Sequence, residues 1–174
     1  MCEQRILAGG LMAIALLVGC KPAATSTPTA TGKPSAAGMK YVLNAEPEAA
    51  QAVAAARQSA KDAEEIVVVG RIGGSSDPWN EGLAAFTIVD PSLKACSDIP
   101  GDACPTPWDY CCEPNLKTST ALVKVVDDSG NVVKADARTL LALKELDTVV
   151  VRGKAQRDDA GNLTILASGV HVRH

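Results

Sequence analysis

Five β-branched runs separated by turn residues leave this chain few folds. They read "EIVVVGRIGG" (65–74), "LAAFTIVD" (83–90), "STALVKVVD" (119–127), "DTVVVRGKAQ" (147–156) and "LTILASGVHV" (163–172). Each has strand length and is rich in Val, Ile, Leu or Thr, and Gly-Gly, Asp-Pro, "DDSG" and "RDDAGN" punctuate the gaps. One helical stretch, "ARTLLALK" with Asp136 as its cap, falls between the third and fourth runs. The order is therefore β-β-β-α-β-β. Aromatic residues make up only 3% of the chain, with a single Phe, so the core must be built from Val, Leu, Ile and Ala.

This order, with a hairpin closing the chain, resembles the OB-fold, a five-stranded Greek-key barrel, over about residues 64–173. The resemblance implies an all-β barrel with minor helix. It also gives Gly70, Gly73 and Gly74 a purpose, since a long first strand must bend to serve both sides of such a barrel. Nucleic acid is the common ligand of the fold, but it is not expected here. From Glu64 onward there are 11 Lys and Arg against 16 Asp and Glu, and Phe86 is the one strand aromatic. "FTIVD" (86–90) and "VVVRGKAQ" (149–156) are similar to stretches of the envelope haem chaperone of cytochrome c maturation. That family takes haem on a His beyond the last strand, with a Tyr in the same motif. The ending "GVHVRH" places His171 inside the strand and His174 at the terminus with no Tyr, so the haem role does not carry over.

The N-terminus sets the expected compartment. "ILAGGLMAIALLVGC" (6–20) follows Arg5 and is shorter than the ~20 apolar residues a membrane-spanning helix needs. Its ending, Leu17-Val18-Gly19-Cys20, resembles the lipobox of bacterial lipoproteins. The resemblance implies a signal peptide over 1–19 that carries Cys2 away, and a diacylglycerol and acyl lipid on Cys20. It also implies a cell-envelope location, with Lys21 rather than Asp favouring the outer membrane facing the periplasm. Residues 20–43, rich in Pro, Ala, Ser and Thr, read as a tether. An Ala stripe then predicts a helix over 44–63 that docks weakly or serves as a stalk, and the barrel domain follows over 64–174.

Residues 91–118 are too long for a hairpin between the second and third strands, and their five prolines exclude a long helix. "CSDIPGDACPTPWDYCC" (96–112) holds the four remaining cysteines, Cys96, Cys104, Cys111 and Cys112. In an oxidising envelope an even set predicts two disulfides, with Cys96 and Cys104 each bonded to one member of the adjacent pair. The alternative is a thiolate site for copper, zinc or iron, or a thiol-redox centre. Against it stand intervals of seven and six residues followed by a direct Cys-Cys, unlike paired C-x-x-C knuckles.

Trp79, Trp108 and Tyr110 in neighbouring loops read as a recognition surface for an envelope protein or small ligand, with Trp108 alternatively the loop's own small core. The chain has no G-x-S-x-G, H-E-x-x-H or phosphate-loop motif. Acidic pairs such as Asp127-Asp128 and Asp158-Asp159 fall where turns need Asp. The expected protein is a lipid-anchored, non-catalytic binding or scaffolding module with no cofactor besides its lipid.

Overall fold

The computed structural model describes residues 32–173. The expected signal peptide over 1–19 with its Cys2, the expected lipid attachment at Cys20, and His174 lie outside the described residues. Among those residues no helix is long and apolar enough to cross a membrane.

The elements run β1 (Gln51–Ala52), α1 (Val53–Ser59), β2 (Glu65–Ile72), β3 (Ala85–Val89), β4 (Thr120–Val125), α2 (Ala137–Leu141), β5 (Thr148–Arg157) and β6 (Leu163–Arg173). Strands β2 to β6 close into a barrel in the order β2-β3-β4-β6-β5, with β5 returning to pair with β2. All pairings around this ring are antiparallel except β4 with β6, where Leu122 faces Thr164. The helix between β4 and β5 and the β5–β6 hairpin complete the OB-like, all-β barrel that the run order predicts.

Alternation explains why these runs close on themselves. In β4, Ala121, Val123 and Val125 point inward while Thr120, Leu122 and Lys124 lie nearer solvent. Side chains at every second position share a face, so one apolar set from each strand fills the interior. Val68, Ile72, Phe86, Ile88, Val149, Val151 and Ile165 meet there, all fully buried. Leu140 and Leu141 of α2 and the following Leu143 join the same core. Asp136 caps α2 by accepting from the Arg138 amide at 2.9 Å, and Ala142 ends it in the left-handed region. The acidic turns behave as turns: Asp127 accepts from the amides of Ser129 and Asn131, and Asp158 from that of Asn162.

The N-terminal expectations need correction in two places. Residues 32–43 are not a tether. Tyr41 is buried, Ser35 donates its amide to the Leu140 carbonyl at 3.1 Å, and Leu43 donates to that of Val170 at 2.9 Å. Three consecutive apolar residues, Tyr41, Val42 and Leu43, give this stretch something to bury, which the Pro- and Thr-rich composition around them obscures.

The helix is also shorter than 44–63 and is no stalk. Ala49 has a positive φ of 58°, and Gln51 and Ala52 pair in parallel with Val68 and Val69, so helix begins only at Val53. Its small inward face lets it lie close: Val53 and Ala56 are fully buried, and a Cβ at Gly70 of β2 would stand 3.1 Å from Val53 Cγ2. Both ends are held by the barrel domain. The Asp90 carboxylate accepts from the Ala54 amide at 2.7 Å, and the Arg157 guanidinium donates to the Arg57 and Ala60 carbonyls.

Asp90 is buried at the end of β3 and also accepts from the Ser92 amide and hydroxyl, at 2.9 and 2.7 Å. Burial alone raises its pKa, but these donors outweigh it and hold the carboxyl below its ordinary value. A depressed folded-state pKa contributes stability that is present above the unfolded value of about 3.9 and is lost as pH falls through the folded value. Asp90→Asn is therefore expected to destabilise the protein by about 2 kcal/mol near neutral pH. In urea unfolding, the gap to wild type should shrink once pH drops below about 4.

Candidate metal centre

The 30-residue stretch between β3 and β4 is built on the barrel wall. Val89, Ala95 and Tyr110 are buried together, with Leu93, Leu116 and Leu146 packed against them. Tyr110 is fully buried in a left-handed conformation (φ 59°), and the reversal there turns the chain so that Cys111 follows directly from the small core. On the other side Ala95 leads into a single helical turn, Cys96–Asp98. Asp98 closes that turn by accepting from the Ala95 amide at 3.0 Å and pairs with Arg71 of β2, whose guanidinium holds its carboxyl below the ordinary value. The third arm is fixed by an Asp turn, in which Asp102 accepts from the Cys104 amide at 2.6 Å.

These arms bring three sulfurs together. Cys96 Sγ stands 3.6 Å from Cys111 Sγ, and the sulfurs of Cys96, Cys104 and Cys111 all lie within 4.8 Å of one another. Cys112 is exposed and stands outside this trio, its Sγ 4.0 Å from that of Cys111.

The two disulfides expected from the cysteine count are not formed. No bond joins the four cysteines, and the Cys96–Cys111 sulfur separation, 3.6 Å, is well beyond the ~2.05 Å of a disulfide bond. The expected pairing needs Cys111 and Cys112 to face different partners. Instead the sulfurs of Cys96, Cys104 and Cys111 are mutually close, and Cys112 stands outside them beside Cys111.

The three thiols are electrostatically unequal. Burial pushes Cys96 up from its ordinary pKa. For Cys111 the contact with Cys96 pulls down, but the neighbouring Cys112 thiol and burial leave it raised. The Thr106 backbone and then its hydroxyl draw the Cys104 thiol below its ordinary value. Cys104 is therefore the first of the three to become a thiolate as pH rises, and the others follow at higher pH or when a bound cation favours their ionised form.

The aromatic residues do not form the expected recognition surface. Trp79 is 7% exposed, donates its ring N–H to Glu145 at 2.7 Å and packs on Phe86 at 5.9 Å between ring centroids. Tyr110 belongs to the small core of the loop. Trp108 is half-buried, with its ring N–H on the Ser76 carbonyl at 3.0 Å. A chain with one Phe has few large apolar groups, and burial claims most of them. His171 is held to the Leu43 carbonyl at 2.9 Å, at the end of β6.

Arg71 and Asp98 hold the site yet carried no mark in the sequence, because neither sits in a motif and they are 27 residues apart. No protein-family model and no curated protein matches the chain.

Proposed function

We propose that this chain is a lipid-anchored envelope protein whose barrel presents a thiolate centre, formed by Cys96, Cys104 and Cys111, to a soft cation, with copper(I) the preferred occupant. One observation carries this reading: three sulfurs from three separate arms of one loop converge within 4.8 Å without bonding. Thiolates sharing one ion at a metal–sulfur distance of about 2.3 Å stand roughly 3.8 to 4.0 Å apart, the larger value for three ligands. The Cys96–Cys111 separation of 3.6 Å is close to that range.

A three-sulfur set with no imidazole or carboxylate in the cluster suits a soft ion that accepts three ligands, rather than a hard one. The anchor rests on Leu17-Val18-Gly19-Cys20. The absence of nucleophile–base or phosphate-binding motifs supports binding rather than turnover.

The test uses the full chain purified under reducing, oxygen-free conditions and offered copper(I) or zinc(II). About one copper per chain should survive desalting, and copper should displace zinc. In the same preparation a palmitate analogue should label wild type and not Cys20→Ser. A chain that shows no free thiols and keeps no metal overturns the centre and restores a stapled loop.

A further inference from the structure

Resting on that reading, we infer that Cys112 is the exchange ligand through which the ion enters and leaves the centre. The four sulfurs form a gradient from the interior outward. Cys96 is 1% exposed, Cys104 is half-buried, and Cys111 and Cys112 are exposed. The trio alone spans this gradient, so a permanent fourth sulfur is not needed to hold the ion. Yet Cys112 Sγ stands 4.0 Å from Cys111 Sγ, a spacing at which both sulfurs can touch one ion, and it does so on the solvent side.

A soft ion passes between thiolates by associative exchange: the incoming sulfur bonds before the outgoing one leaves. A solvent-facing sulfur beside the outermost ligand gives such a hand-over its first station. On loading, the Cys112 thiol loses a proton as its sulfur takes the ion from a thiolate donor, and the donor sulfur takes up a proton. The ion then moves to Cys111, whose thiol proton passes to Cys112, and inward as the remaining thiols of the trio release their protons to solvent. No electron is transferred and the oxidation state of the ion does not change. The class of partner is a soluble or membrane-held thiol carrier of copper(I).

Rate and affinity separate this role from that of a plain ligand. With bicinchoninate as the acceptor probe, Cys112→Ser is expected to keep copper(I) affinity within about 3-fold of wild type while transfer slows at least ~10-fold. Because Cys112 is exposed, the variant should fold as wild type does. An affinity loss matching the rate change would make Cys112 a permanent fourth ligand and overturn the exchange role, as would an unchanged rate. If wild type itself retains no copper, the centre falls and the exchange role with it. If wild type loads normally and the variant transfers at the same rate, only the exchange role falls.

Discussion

Replacing Cys96 with serine is expected to lower copper(I) affinity about 100-fold while leaving the barrel folded. Structural thiolate sites bind with roughly 10–16 kcal/mol spread over four ligands, so one lost thiolate removes about 3 kcal/mol, or two decades of affinity. Cys96 is the most buried residue of the trio and its sulfur stands 3.6 Å from that of Cys111. A serine oxygen there is harder than sulfur and stays protonated, so it offers a soft cation little. Sulfur and oxygen differ modestly in size, and Cys96 lies in the loop rather than in the barrel, so the strands do not depend on it. Competition titration against a chromophoric copper(I) chelator measures the loss, and far-ultraviolet circular dichroism checks the fold. A stapled loop gives a different signature: Cys96→Ser would release one reactive thiol from an otherwise blocked protein. A Cys96→Ser affinity within a few-fold of wild type would remove Cys96 from the centre.

The barrel was legible because its signals are local and repeated. Val, Ile and Leu alternate in runs of strand length, and Asp and Gly stand where the chain must reverse, as Asp127 and Asp158 do. The N-terminal helix was legible in kind and not in extent. An Ala stripe has helical spacing whether or not the chain follows it, and two distant residues, Asp90 and Arg157, hold the ends of the helical segment. The part of the tether over 32–43 was misread from composition averaged over a window in which Tyr41, Val42 and Leu43 were the informative residues. The thiol site was legible as a set of residues and illegible as a geometry. Spacing along a Pro-rich loop does not say which sulfurs meet. What decides it here is where Ala95 and Tyr110 anchor the loop on the wall, and that depends on Arg71 and Gly73, two residues with no cysteine near them in sequence.

Gly73 offers the sharpest test of that anchoring. A Cβ added there would lie 2.4 Å from the Trp108 carbonyl oxygen and 2.9 Å from Tyr110 Cε2. The carbonyl cannot retreat freely, because it accepts from the Gly74 amide at 2.8 Å. Gly73→Ala must therefore lever Trp108 and Tyr110 away from β2, at a cost of about 2–3 kcal/mol for overpacking. Cys111 follows Tyr110 directly, and Ala95, which precedes Cys96, shares the small core with it. Displacing Tyr110 thus separates the sulfurs of Cys96 and Cys111 although no thiol has changed, and copper(I) affinity should fall about 10-fold. Gly82→Ala serves as the control. Its φ of 73° strains the backbone, but nothing lies within 4 Å of its added carbon, so it should cost stability without touching the centre. If Gly73→Ala lowers the melting temperature and leaves copper affinity at the wild-type value, the loop holds its sulfurs by its own turns, and its seat on the barrel plays no part in shaping the site.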